Sequence, residues 1–155
     1  VRCPLKQDTP NSRGARTWRS RRWQGGIKDG KGTISTESGA LKATPYGFNT
    51  RFEGQPGSNP EELIGAAHAA CFSMALSLQL GEAGMTAESI DTQAEVVLEK
   101  DAGGFTISTV NLRLKAKIPG ADRVCFEQAV AAAKTGCPVS KLLNAEITLH
   151  TTLDS

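Results

Sequence analysis

Two of the four cysteines stand where a thiol could do chemistry. Cys71 lies in AHAACFSMAL, inside a long uncharged stretch that reads as a helix. A cysteine there can be a small buried hydrophobe, as free cysteines commonly are. To act as a nucleophile it must be a thiolate. It lies too deep in the helix for the N-terminal dipole to help, since that effect fades within the first turn. A separate cation is needed, and Arg51 is the leading candidate. Cys137 directly precedes Pro138 at the start of a short helix, where a thiolate would face free backbone N–H groups. It can equally be a cap residue that happens to be cysteine.

Rival chemistries find less support. His68 lies three residues before Cys71, and with Cys137 the set supplies nitrogen and sulfur ligands. A catalytic zinc needs three protein ligands and an open position, so this set is thin. No G-x-S-x-G elbow is present, nor a dinucleotide-binding or Walker A glycine pattern. His150 sits on the outward side of the last strand and reads as solvated. Cys3, in the N-terminal segment, and Cys125, on a core-facing helix, read as bystanders. Four cysteines in 155 residues, none in C-x-x-C spacing, make neither a disulfide scaffold nor a zinc knuckle. They point to a cytosolic chain with thiols reduced at rest.

The elements that must position these residues follow from pattern. A first strand is predicted over 15–24 with Trp18 inward, and a second within GKGTISTESG (30–39). YGFNTRFE (46–53) alternates as a strand, with Tyr46, Phe48 and Phe52 on one face and Arg51 on the other. Asn59 is a helix N-cap, Pro60 the first helical residue and Glu62 the capping acid. That helix runs to about Leu80, with Gly81 and Gly84 after it. A hairpin follows, in which Ile90, Thr92, Ala94, Val96 and Leu98 share a face. Val110, Leu112, Leu114, Ala116 and Ile118 share a face of its second strand. Phe105 and Ile107 have the other parity, so a bulge is expected near Ser108–Thr109. A helix over 121–134 follows, with Val124, Gln128 and Ala131 in one row and Cys125, Ala129 and Ala132 beside it. A short helix from Pro138 to Leu143 and a strand over 146–153 complete an α+β chain with a largely antiparallel sheet.

Charge and hydropathy exclude some classes. Residues 1–31 carry nine basic and two acidic side chains, whereas 32–155 carry nine basic and fourteen acidic. The body is therefore mildly acidic, a poor match for a phosphate backbone. The basic start could serve as a nucleic-acid or membrane tail, but it reads as a loose extension. It opens with Val1 and contains no apolar signal-peptide core. Residues 63–80, LIGAAHAACFSMALSLQL, carry no charge but hold His68, Ser73, Ser77 and Gln79. A helix that apolar is enclosed by other structure, and a partner subunit fits better than a bilayer.

Taken together, GKGTISTESG, PYGFNTRFEG (45–54), NPEELIGAAHAACFSMALSLQLGEAG (59–84) and GCPVSKLLNAEITL (136–149) closely resemble the OsmC/Ohr family of osmotically inducible and organic-hydroperoxide-resistance proteins, nearest its OsmC branch. The resemblance covers residues 20–155 and leaves 1–19 outside as a basic extension. It implies an OsmC-like fold in an intertwined homodimer and a peroxidase that prefers organic hydroperoxides to hydrogen peroxide. It implies no metal, haem or flavin, and a lipoyl-type dithiol as reductant. It assigns attack on the peroxide to Cys71, disulfide closure to Cys137, activation to Arg51 and the support of that arginine to Glu61. Tyr46, Phe48, Phe52 and Met74 could line a hydroperoxide pocket or be plain core. Alternatives to the enzyme are a redox-inert structural or stress-binding homodimer and a basic-tailed nucleic-acid binder.

Overall fold

The computed structural model describes residues 19–154. Trp18, Cys3 and most of the basic start lie outside them. The chain divides into two units, one ending at Leu63 and the other beginning at Ile64.

The first unit is an antiparallel sheet of β1 (Arg19–Gln24), β2 (Lys31–Thr36) and β3 (Thr44–Gly47), followed by α1 (Phe48–Phe52). The turn residues Gly25 to Gly30 close the first hairpin, where the Gly30 N–H donates to the Gly26 carbonyl at 2.9 Å. The strand expected over 46–53 holds only for its start. At Gly47 the chain turns into helix, because local side chains offer the backbone other partners than a sheet. The Thr50 hydroxyl accepts from the Gly47 N–H at 2.9 Å and lies 2.8 Å from the Ser58 carbonyl. The Asn49 side chain accepts from the Thr50 N–H at 2.9 Å. Phe48 and Phe52, read as neighbours on one strand face, are instead an i,i+4 helical pair with ring centres 4.8 Å apart.

The second unit holds most of α2 (Pro60–Glu82), then β4 (Ser89–Asp101), β5 (Gly104–Lys117), α3 (Arg123–Gly136), α4 (Pro138–Leu142) and β6 (Glu146–Asp154). The Asn59 cap is formed: its side chain accepts from the Glu62 N–H at 2.8 Å. β4 and β5 make the expected hairpin. Val97 pairs with Thr109 and Leu98 with Ile107, so Ser108 is the extra residue of the bulge. The shift brings Ile107 toward the core, which Val110, Leu112, Leu114, Ala116 and Ile118 line.

The α+β class and the largely antiparallel pairing hold, in two three-stranded sheets whose pairs are antiparallel except that β6 runs parallel to β5. The reason is the connection: α3 and α4 carry the chain back across the sheet, which a hairpin cannot do. In α3 the buried row is Phe126, Ala129, Val130 and Ala133, while Val124 is exposed. That row has i, i+3, i+4, i+7 spacing and is led by the bulkiest side chain of the helix. Cys125, on this core-facing helix, is half-buried.

α2 buries Gly65, His68, Phe72, Leu76 and Leu80 on one face. Gly65 permits close approach to β4, since a Cβ there would lie 3.1 Å from the Ala94 carbonyl oxygen. The Ser73 hydroxyl adds a 2.8 Å bond to Thr92 of β4. The opposite face is apolar yet uncovered, with Met74 74% and Leu78 61% exposed.

Candidate active site

α2 and α4 bring the two candidate cysteines together. Cys71 sits in the middle of α2, and Cys137 ends α3 and caps α4. Pro138 at the first helical position makes the turn at Cys137 abrupt, since its ring fixes φ and it has no N–H to leave unpaired. The sulfurs of residues 66 apart in sequence lie 3.1 Å from each other. Both thiols are free. Cys137 is fully buried and Cys71 half-buried, so Cys71 is the sulfur open to an incoming reagent.

The surroundings treat the two thiols differently. Burial pushes the Cys71 thiol up, and hydrogen bonding to Cys137 pushes it further. Burial also works to raise Cys137, but its bond with Cys71 and the nearby N–H and hydroxyl of Ser140 outweigh it, so its thiol is held down. The Val139 N–H adds to this, although no backbone group closes a full side-chain cap bond at Cys137. The two thiols titrate as a pair, and on the groups of this unit alone Cys137 is the stronger acid of the two.

One turn away a second bond joins the same helices. His68 Nε2 and the Ser140 hydroxyl are 2.9 Å apart. His68 is fully buried, and burial lowers its pKa, so the ring is neutral. Reading His68 as a possible zinc ligand missed this role, and Ser140 drew no notice at all. The signal was the spacing, since His68/Cys71 and Cys137/Ser140 are both i,i+3 pairs. Among the described residues, no group of three His, Cys, Asp or Glu side chains gathers as a metal cluster.

Arg51 and Glu61 belong to the first unit. Arg51 Nε donates to Glu61 Oε2 at 3.0 Å, and a terminal guanidinium nitrogen donates to Oε1. The guanidinium also lies over the Phe52 ring, 5.2 Å from its centre. α1 is pinned by Thr50 to the loop that leads into α2, which carries Glu61. Gly57 in that loop has φ +148°, and a Cβ there would lie 2.6 Å from the Thr50 methyl. Of the aromatic set, Tyr46 packs on Trp23 with ring centres 5.7 Å apart, and Met74 lies on the exposed face of α2.

The sequence profile for OsmC-like protein matches residues 52–152. The chain is 62% identical over 133 residues to peroxiredoxin OsmC of Escherichia coli (strain K12), covering 86% of this chain and 93% of that protein. It is 34% identical over 117 residues to organic hydroperoxide resistance protein OhrB of Bacillus subtilis (strain 168), covering 75% of this chain and 84% of that protein. The crystal structure of B. subtilis OhrB superposes with a TM-score of 0.65 at 29% identity, covering 87% of this chain and 98% of that one.

Proposed function

The chain belongs to the OsmC-like protein family, and on that premise we infer that it is a thiol-dependent peroxidase reducing organic hydroperoxides through Cys71 and Cys137. The observation that carries this reading is the 3.1 Å contact between two sulfurs drawn from distant parts of the chain.

The Cys71 thiolate attacks the O–O bond. One oxygen stays on sulfur as a sulfenic acid, and the other leaves with the alkyl group and takes a proton to become the alcohol. Cys137 then attacks the sulfenic sulfur and displaces its oxygen, which leaves as water. The sulfurs must close by about 1 Å from their present contact to reach a bond of about 2.05 Å. A dithiol of the lipoyl type reopens the disulfide by exchange.

Arg51 is the cation that favours the Cys71 thiolate and steadies charge on the departing oxygen. Glu61 fixes its direction, as a bidentate carboxylate does for a guanidinium. Two things support this. The ion pair is two-pronged, and without a cation Cys71 is the weaker acid of the two thiols. The working form is a cytoplasmic homodimer in which residues 20–155 are the peroxidase domain, with a second copy covering Met74 and Leu78. Its support is their exposure on the apolar, uncovered face of α2. Burying side chains of this size stabilises by about 1.5–3 kcal/mol each.

Substitution of each cysteine tests the reading. Cys71→Ser abolishes hydroperoxide consumption. Cys137→Ser still oxidises Cys71 once, and mass spectrometry finds sulfenic or over-oxidised Cys71 with turnover sharply reduced. Loss of the first step in Cys137→Ser as complete as in Cys71→Ser reverses the two roles. Peroxide consumption untouched by either change ends the peroxidase reading.

A further inference from the structure

The bond between His68 and Ser140 has no part in the chemistry described so far. It is made by residues 72 apart in sequence, at 2.9 Å, from a histidine with no exposed surface. Burying an imidazole is costly unless its nitrogens are paired. Yet Nδ1 of His68 has no hydrogen-bond partner among the described residues. Such a residue in a core of leucine and phenylalanine calls for a reason.

The proton can be placed. One nitrogen of a neutral imidazole is a donor and the other an acceptor. A buried N–H without a partner is rarer than a buried lone pair without one. The proton therefore sits on Nε2, and His68 donates to the Ser140 oxygen. That bond leaves the Ser140 hydrogen free to point elsewhere. Ser140 is three residues beyond Cys137, the N-cap of α4, so its side chain reaches back toward the sulfur. Cys137 and Ser140 are i,i+3 neighbours on the first turn of α4, and the presence of Ser140 there works to lower the Cys137 pKa. A donor chain results, running from His68 to Ser140 to Cys137, beside the Cys137–Cys71 contact.

We propose that Ser140 stabilises the Cys137 thiolate during disulfide closure, and that His68 is the positioning residue that aims the Ser140 hydroxyl at that sulfur. This inference rests on the thiol-peroxidase reading for its place in the cycle. In closure, Cys137 sulfur attacks the sulfenic sulfur of Cys71. The S–S bond forms as the S–O bond breaks, and the departing hydroxide takes one proton to become water. Cys137 sulfur is oxidised by one formal unit and Cys71 sulfur is reduced by one. The donor chain acts on the attacking sulfur alone. It leaves the earlier attack of Cys71 on peroxide unassisted. The same bond clamps α4 to α2 one turn from the sulfurs, so the thiolate is both stabilised and held within reach.

The experiment compares Ser140→Ala, His68→Phe and His68→Gln in two backgrounds. In Cys71→Ser protein, thiolate absorbance titrated against pH reads Cys137 directly and needs no peroxide. Ser140→Ala and His68→Phe raise the midpoint by about one pH unit, the tenfold expected for losing a hydrogen bond to an anion. His68→Gln, whose amide nitrogen can donate to Ser140, restores most of that shift. With both cysteines present, single-turnover mixing with a hydroperoxide shows Cys71 oxidation no slower than in the parent, because a less acidic Cys137 opposes the Cys71 thiolate less. Disulfide closure is about tenfold slower in Ser140→Ala and His68→Phe. If Ser140→Ala, folded by circular dichroism, leaves the Cys137 midpoint unmoved, the proposal is overturned. It is equally overturned if His68→Gln is no better than His68→Phe, because then His68 only fills space. Should His68→Phe fail to fold, Ser140→Ala decides alone. A shifted midpoint in protein that consumes no hydroperoxide leaves the donor chain standing and removes the peroxidase reading instead.

Discussion

Arg51 and Glu61 meet in a two-pronged ion pair that ties α1 to the first turn of α2, with Nε 3.0 Å from Oε2. The guanidinium is thus fixed in direction as well as in charge. Arg51→Ala is expected to slow the first oxidation of Cys71 by about 10- to 100-fold, the loss of a charge-assisted interaction. Arg51→Lys recovers only part, because an ammonium cannot pair with Glu61 at two points. Stopped-flow measurement of peroxide-driven Cys71 oxidation reads this. A rate unchanged in Arg51→Ala removes Arg51 from the reaction.

Gly57 carries a backbone angle of +148°, and a Cβ on it would lie 2.7 Å from the Pro45 carbonyl and 2.6 Å from the Thr50 methyl. Gly57→Ala forces the loop away from α1. A loss of about 1–3 kcal/mol in stability is expected, with a fall in kcat/KM because Arg51 loses its setting. Chemical denaturation and steady-state rates on the same sample test this. Unaltered stability would show that the loop yields without strain.

Met74 and Leu78 lie on the uncovered side of α2. The double substitution Met74→Glu, Leu78→Glu removes no contact with the buried face. If a second copy covers that side, sedimentation shifts from dimer to monomer and thermal stability falls. A dimer that persists undisturbed at low micromolar concentration places the interface elsewhere.

His68 gives stability a pH dependence whose sign is set. Its folded pKa lies below the ordinary value of 6.5 because burial disfavours the charged ring. Below that ordinary value the unfolded chain binds the proton more readily than the folded one. Stability contributed by neutral His68 is therefore complete above about pH 6.5 and declines as pH falls through that value. Urea unfolding at pH 7.5 and pH 5.5 should show the decline in the parent protein and a smaller one in His68→Gln. Equal declines in both would assign the acid sensitivity to other groups.

Much of the chain was legible from local signals. The Asn59 cap and Pro60 start of α2 rest on hydrogen bonds between residues three apart. The β4–β5 hairpin and its bulge at Ser108 were visible because parity in a strand changes only when a residue is inserted. The motifs around Cys71, Cys137, Arg51 and Glu61 carried the family, since each is a contiguous run of residues.

Other features depended on partners far away in sequence, and only the folded chain decides those. Residues 46–53 alternate like a strand, yet Thr50 bonds to Ser58 and turns them into helix. β6 is parallel because α3 and α4 cross over the sheet, a choice no single strand encodes. In α3 the rows led by Val124 and Cys125 were expected, and packing instead buries the row led by Phe126. The 3.1 Å approach of two sulfurs, and the His68–Ser140 bond beside it, join helices whose sequences say nothing about each other. Spacing along a chain specifies faces and ends of elements. Which faces meet is settled by burial summed over the whole core, and the acidity of each thiol follows from the neighbours that burial supplies.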